Sequence, residues 1–407
     1  MNTRPAIESS NTPGALSVSF NQDASCFAVG LENGFSIYRS DPCKLHVVRG
    51  MFCQVSLTKE KLSIEDFNAG IATVGMLGAT NYVAIVGGGR KPKYAQNKVI
   101  IWDDKNQKVR FILSELAPVR AVRMSKTHIV VVLQSSVQVY KFEAPPQLWG
   151  EYPTVDNPHG ICCLGTKHLA IPAITSGQVR LIELATKNVS LVPAHTSPLR
   201  ALDISRDGQI LATASETGTL IRVFAIPSFS KLAELRRGVD AATIFSLAIA
   251  PGGQMLAVTS DKSTLHIFDI PHPSKPARAV ASPVGNRSTA QTGGVSPVTS
   301  DGDTNQKWGV LGRIPLLPKF FSDTYSFTSA NFEIGDESSS QSSTNPGTQS
   351  EAGIRLCKGT IGWTSDDCLI IVGAGRDARW ERFVIGENRE GKRECERQGW
   401  KRYRGTT

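Results

Sequence analysis

The sequence predicts an all-β fold, a seven-bladed β-propeller of WD40-like four-stranded blades with a long loop in blade 6. Three observations carry this expectation. Short β-branched or aromatic runs bounded by Gly, Asp, Asn or Ser recur along the chain, which is the signature of strands joined by tight turns. Sustained helical periodicity is scarce. Two segments, LRALDISRDGQILATASETGTLIRVFAI (Leu199 to Ile226) and FSLAIAPGGQMLAVTSDKSTLHIFDI (Phe245 to Ile270), repeat the same strand, turn, strand, turn, strand order. Their closing strands start about 45 residues apart, close to the period of a four-stranded blade.

The units follow in chain order. Leu16 to Phe20, Cys26 to Gly30 and Phe35 to Tyr38 begin the ring. Val83 to Val86 and Val99 to Trp102 come next, the latter closing on Trp102-Asp103 in the manner of a WD-type third strand. Ile129 to Leu133 with Val137 to Phe142, and then Val179 to Leu184, mark the middle units. The two repeats supply Leu211 to Ala214, Leu220 to Phe224, Phe245 to Ile249, Met255 to Thr259 and Leu265 to Ile270. Cys368 to Val372 and Trp380 to Ile385 mark the last. About seven such units favour a closed ring, in which each sheet buries both faces against its neighbours.

The expected organisation is a flexible N-terminus over 1–13, a propeller over 14–386 and a basic disordered tail over 387–407. Two interruptions fall inside the propeller. The blade-6 insertion, 271–324, opens with a Pro-, Gly-, Ser- and Thr-rich stretch and continues as WGVLGRIPLLPKFF (Trp308 to Phe321). A flexible linker, 335–352, contains SSSQSSTNPGTQS. Strand character between them, from Tyr325 to Ile334, puts the insertion between the third and fourth strands of one blade. The tail carries seven Lys plus Arg against four Glu and shows no apolar periodicity.

Composition narrows the function classes. The 407 residues are 40% hydrophobic and 20% charged, enough apolar content to bury a core. No apolar run approaches the roughly 18 residues of a membrane span. An N-terminus without an apolar h-region argues for a cytosolic chain. The eight cysteines lack CxxC spacing, so they read as reduced, mostly buried thiols, with neither a metal nor any cofactor implied. A formal net charge of +9 favours anionic partners. No G-x-S-x-G, HExxH or P-loop is present, and Gly87-Gly88-Gly89-Arg90 lacks the Lys-Ser/Thr of a nucleotide loop, so the chain is expected not to be an enzyme. Basic residues are not interleaved with aromatics along a stripe, which disfavours nucleic acid.

The sharpest local feature is Leu235-Arg236-Arg237-Gly238. Adjacent residues of an extended segment point to opposite sides, so each arginine can serve a separate anion. Guanidinium is a donor fork matched to phosphate oxygens, although an arginine pair at a turn is commonly just solvated. Polar residues on both flanks sharpen the reading: His195, Thr213, Ser215, Thr219 and Arg222 before the doublet, and Ser260, Lys262, Thr264 and His266 after it. Alternation along Thr264 to Phe268 sets Thr264 and His266 on one face and Leu265 and Ile267 on the other. Hydroxyls and imidazoles around a guanidinium suit a phosphorylated polyol.

The doublet, the His195 segment, SETGTLIRVF (Ser215 to Phe224) and STLHIF (Ser263 to Phe268) resemble the PROPPIN family, the phosphoinositide-binding β-propellers of autophagy that include the WIPI proteins. FNQDASCFAVGLENGFSIY (Phe20 to Tyr38) and GGGRKPKYAQNKVIIWDD (Gly87 to Asp104) resemble its first two blades, and the GGGRKPK stretch is similar to the WIPI3-like branch. The similarity runs from about Ser17 to Ile385. It implies a first headgroup site of His195, Thr213, Ser215, Thr219, Arg222 and Arg236, and a second of Arg237, Ser260, Lys262, Thr264 and His266. The implied ligands are phosphatidylinositol 3-phosphate and phosphatidylinositol 3,5-bisphosphate.

Departures from the family pattern are Leu235 for the commoner Phe, Thr213 for Ser, and Glu216 where Lys is frequent, the last setting a negative charge near the first site. The resemblance also implies that the blade-6 insertion enters the bilayer. There Trp308, Val310, Leu311, Ile314, Leu316, Leu317, Phe320 and Phe321 would be the apolar surface, with Lys307, Arg313 and Lys319 each adding about 1 kcal/mol at anionic headgroups. Pro315 and Pro318 exclude a long helix there. Implied partners are autophagy proteins, among them a lipid-transfer protein. The implied location is cytoplasmic and peripheral, on preautophagosomal, endosomal or vacuolar membranes. A propeller that only assembles proteins is the alternative, because the fold alone does not fix function.

Overall fold

Runs of β-branched and aromatic residues too short to bury a helix face pair here into seven antiparallel sheets. The computed structural model describes residues 14–50, 67–276, 324–334 and 358–404. Blade 1 comprises Ala15–Phe20, Cys26–Leu31, Gly34–Arg39 and Lys44–Gly50; blade 2 runs from Ile71–Met76 to Lys108–Ser114; blade 3 from Ala121–Met124 to Leu148–Pro153; and blade 4 from Cys163–Leu164 to Val189–Pro193. Blade 5 is Leu199–Ile204, Ile210–Ser215, Leu220–Ala225 and Lys231–Arg236. Blade 6 is Ile244–Ile249, Met255–Ser260, Thr264–Asp269 and Thr328–Asn331, and blade 7 begins with Thr360–Trp363. The chain is a seven-bladed β-propeller, as its repeats predict.

The first strands of successive blades touch around the ring, including blade 7 to blade 1. The repeat is visible in detail: blades 1, 2, 5 and 6 each carry an irregularity just after the first residue of the first strand, between Ala15/Ser17, Ile71/Thr73, Leu199/Ala201 and Ile244/Ser246. No single core exists. Apolar clusters lie between neighbouring blades instead, such as Ile210, Ile221, Val223 and Leu235 of blade 5 against Ile244, Leu256 and Phe268 of blade 6. Stacked sheets bury both faces, so the second strands read as nearly continuous apolar runs.

The C-terminal expectation is corrected. Residues expected as a disordered tail over 387–407 continue the strand Arg379–Glu387 and then form Arg393–Arg402, the fourth strand of blade 7. An outermost strand has little to bury, and here Cys395 is its one buried side chain. Its three arginines are each matched: Arg397 to Glu381 at 2.9 Å, Arg393 to Asp269 at 2.8 Å and Arg402 to Asp377 at 2.6 Å. Charge density concealed the strand. Tyr403 follows it into the seam between blades 7 and 1.

Among the described residues Cys26, Cys43, Cys162, Cys163, Cys368 and Cys395 are free thiols, each buried or half-buried. The expected flexible N-terminus (1–13) and linker (335–352) lie outside the described residues, as does the insertion from 277 to 323.

Candidate functional site

Blade 5 ends at the arginine doublet. Residues directly opposite in antiparallel pairs share a sheet face, and Thr213, Arg222 and Glu234 stand in one such row across the second, third and fourth strands. Arg236, two residues beyond Glu234 and opposite Leu220, belongs to the same face. That face looks toward blade 4, since Thr213 Oγ1 meets His195 Nε2 at 2.9 Å and Arg222 Nη1 donates to the Ala194 carbonyl at 2.6 Å. Leu235 turns inward and is fully buried, so it fills the place of a larger apolar residue without exposing itself.

Arg237 lies past the strand end, its backbone N–H still bonded to the Thr219 carbonyl at 2.9 Å. Its side chain goes to the blade-6 side, where Nε donates to the Gly218 carbonyl at 2.8 Å and Nη2 to the Asp240 carbonyl. Gly218 has φ +64°, and a Cβ there would meet the Ala242 carbonyl oxygen at 1.8 Å, so only glycine holds this turn. Arg237 is 7% exposed and makes no ion pair among the described residues. Burial pushes the guanidinium's proton affinity down, against the opposing charges of Asp261 and Asp240. A buried cation whose described hydrogen bonds go to carbonyls is poised for an anion.

The first group of sequence-selected residues assembles as one network. Thr213 and Ser215 are buried, Thr219 and Arg222 are half-buried. Arg222 is engaged: its Nε donates to Glu234 at 2.8 Å, and Lys231 reaches the same carboxylate oxygen at 3.2 Å. His195 is held at a pKa of about 4 by burial and by the adjacent Arg222 charge. Its imidazole is neutral at physiological pH. Glu216 is exposed beside this network, its N–H bonded to the Pro198 carbonyl.

The second group lines the opposite side. His266 sits opposite Val258 and Ser329, and Ser260, two residues past Val258, shares that face. Burial, with the Arg237 charge next, brings the pKa of His266 to about 4. Among the described residues Thr264 Oγ1 is buried without a hydrogen-bond partner. Lys262 is exposed on the turn, where its N–H reaches Ser260 Oγ at 3.4 Å. The structure thus brings Arg236 and Arg222 to the His195 side, and Arg237 to the His266 side.

Sequence reasoning missed Glu234, Asp240 and Ser326. The chain leaving the insertion pairs in parallel with blade 5, Leu235 to Thr324 and Arg236 to Tyr325, and then Ser326 Oγ meets His266 Nδ1 at 3.2 Å. The chain entering the insertion is also held: His272 Nε2 lies 2.7 Å from Asp207, and Lys275 Nζ donates to the Gly252 carbonyl at 2.6 Å. Trp308, Leu311, Ile314, Leu316, Leu317, Phe320 and Phe321 lie outside the described residues.

Among the described residues no group of His, Cys, Asp and Glu is placed to hold a metal ion, and no helix is long and apolar enough to cross a membrane. The PROPPIN family profile matches residues 15–282. The chain is 51% identical over 332 residues to SVP1-like protein 2 of Emericella nidulans, covering 81% of this chain and 99% of that one. Among solved structures it is similar to Hsv2 of Kluyveromyces marxianus, with a TM-score of 0.69 and 22% identity over 96% of this chain and 99% of that one. It is also similar to KlAtg21 in complex with the coiled coil of AgAtg16, with a TM-score of 0.63 and 19% identity over 96% and 99% of the two chains. The chain belongs to the PROPPIN family, non-enzymatic phosphoinositide-binding β-propellers that act peripherally on membranes in autophagy.

Proposed function

We propose that the two faces of blade 5 at Arg236 and Arg237 are separate headgroup sites, the first with His195, Thr213, Ser215, Thr219 and Arg222, the second with Ser260, Lys262, Thr264 and His266. The observation that carries this reading is Arg237, a buried guanidinium that among the described residues is bonded to two carbonyls and to no carboxylate, together with a Thr264 hydroxyl that has no hydrogen-bond partner among them. Phosphate oxygens pair directly with such a guanidinium, beyond the through-space charges of Asp261 and Asp240. The ligands are phosphatidylinositol 3-phosphate and phosphatidylinositol 3,5-bisphosphate.

Trp308, Leu311, Ile314, Leu316, Leu317, Phe320 and Phe321 of the insertion are the membrane contact. Two headgroups and an inserted segment act as linked contacts, so that modest individual affinities give firm yet reversible attachment. The attached propeller recruits autophagy proteins to preautophagosomal, endosomal or vacuolar membranes. A coiled-coil partner, as in the KlAtg21 complex, and a lipid-transfer protein are the partner classes. Kinship to the WIPI3-like branch rests on the Gly87 to Lys93 stretch alone.

Flotation with liposomes tests the reading. Capture is expected to require phosphatidylinositol 3-phosphate and to disappear in the Arg236→Thr/Arg237→Thr double variant. Capture that ignores the lipid, or survives the double change, would leave a protein-assembly propeller as the better account.

A further inference from the structure

Among the described residues only blade 5 carries a fifth strand, and the chain leaving the blade-6 insertion supplies it. Thr324–Tyr325 runs parallel to the last strand of blade 5 and pairs with just two of its residues, Leu235 to Thr324 and Arg236 to Tyr325. The other blades are complete with four strands. The addition therefore answers no need of the ring, and it falls on the arginine doublet.

Register assigns its side chains. Paired residues of neighbouring strands share a sheet face, and successive residues of an extended segment alternate between faces. Tyr325 thus stands on the face of Arg236, that of the first headgroup site, and is 46% exposed. Ser326, next in the chain, goes to the other side, where its Oγ lies 3.2 Å from His266 Nδ1. Burial first, and the charge of Arg237 second, keep that imidazole neutral, so the second arginine is a neighbour of the ring that Ser326 holds.

The segment is braced from behind. The Phe327 N–H donates to the Ile267 carbonyl at 3.0 Å, and the Arg393 guanidinium covers the Phe327 ring, 3.8 Å from its centroid. Thr328 Oγ1 accepts the Cys395 N–H of blade 7 at 3.1 Å. Side chains supported in this way are in position before a ligand arrives, which reduces the entropy lost on binding.

We propose that the exit segment of the insertion serves both headgroup sites, Tyr325 as a ligand contact beside Arg236 in the first and Ser326 as a positioning residue that fixes the His266 ring beside Arg237 in the second. The assignment rests on the two sites proposed above. A phenol both donates and accepts, so Tyr325 can meet a hydroxyl of the inositol ring or a phosphate oxygen. Because both residues directly follow the insertion, a headgroup held at either site also holds the insertion's stem.

The test uses the full chain as two single-site proteins, Arg237→Thr for the first site and Arg236→Thr for the second. Each is titrated calorimetrically with soluble inositol 1,3-bisphosphate, which reads headgroup binding without a membrane. Tyr325→Ala is expected to weaken the first-site protein about 3- to 10-fold, and Ser326→Ala the second-site protein by a similar factor, each through loss of one hydrogen-bonding group. The crossed combinations are expected to match their parents. Ser326→Thr, which keeps the hydroxyl, is expected to bind as its parent does. A substitution to Ala that leaves its own site unchanged, or weakens both sites alike, would overturn the proposal and leave the headgroup sites standing. Failure of a single-site parent to bind inositol bisphosphate would instead overturn that headgroup site. Melting curves that match the parent's exclude a folding defect as the cause of any loss.

Discussion

Arg222 is held by Glu234 at 2.8 Å across neighbouring strands of blade 5, so the arginine expected to grip a phosphate already has a carboxylate partner. Both side chains are about a quarter exposed, 26% and 28%. A pair of that kind contributes at most about 1 kcal/mol to stability. Its electrostatic effect on the site is larger, because it cancels one positive charge beside Arg236.

Glu234→Gln is expected to leave the thermal midpoint within a few degrees of the wild type and to make lipid capture more sensitive to salt. Freed of its counter-charge, Arg222 adds an attraction that salt screens. Flotation on liposomes with phosphatidylinositol 3-phosphate, run across a range of ionic strengths, reads the change. A lowered midpoint with an unaltered salt response would reduce Glu234 to a structural role.

The two site histidines make an acid-side prediction. His195 and His266 have folded pKa values of about 4 against a usual 6.5, from burial and from Arg222 and Arg237 respectively. A histidine whose folded value is lowered contributes stability that is full above 6.5 and is lost as pH falls toward 4. The loss reaches roughly 2–3 kcal/mol each by pH 4. Denaturant midpoints of the wild type are expected to fall over this window, and His195→Gln and His266→Gln are each expected to flatten the fall. Resonances of either ring titrating near 6.5 would contradict the burial argument.

The ring was legible because the alternation of Leu220–Ala225 and Thr264–Asp269 repeats in register, and the doublet because two guanidiniums on an extended segment must diverge. What stayed hidden depended on distant pairings. Glu234 looks like any solvated strand carboxylate until the neighbouring strand sets Arg222 opposite it. Ser326 reaches His266 from 60 residues away. The strand Arg393–Arg402 reads as a charged tail because its partners, Glu381, Asp269 and Asp377, are scattered over blades 6 and 7.

Asp203 makes the opposite prediction to the histidines. Its carboxylate accepts the Ile249 N–H of blade 6 at 2.7 Å and the Cys163 thiol of blade 4 at 3.5 Å. Burial raises its pKa from 3.8 to about 6. The fold therefore favours the protonated acid, a preference fully present below 3.8 and lost as pH rises through 6. Asp203→Asn keeps an acceptor for Ile249 and removes the charge. It is expected to raise stability at pH 7.5 by about 1–3 kcal/mol and to give no gain at pH 4, as read from melting at the two pH values.

Closure of the ring rests on the residues first taken for a tail. The four described strands of blade 7 come from Thr360 to Arg402, and among the described residues no N-terminal strand joins that sheet. Ala15 and Gly375 exchange two backbone hydrogen bonds of 2.9 Å, and Trp380 Nε1 donates to the Ser40 carbonyl at 2.8 Å. Tyr403 then wedges edge-on against Phe27 and Tyr38, with ring centroids 5.4 and 5.3 Å away, and its hydroxyl donates to the Gly373 carbonyl at 2.8 Å. Tyr403→Ala removes a buried aromatic from the seam and is expected to cost about 3–5 kcal/mol. Tyr403→Phe keeps the packing and leaves the Gly373 carbonyl without that donor, a loss nearer 1 kcal/mol. Urea unfolding of the two variants separates these contributions. A Tyr403→Ala protein as stable as the wild type would mean that the blade 1 and blade 7 contacts close the ring without it.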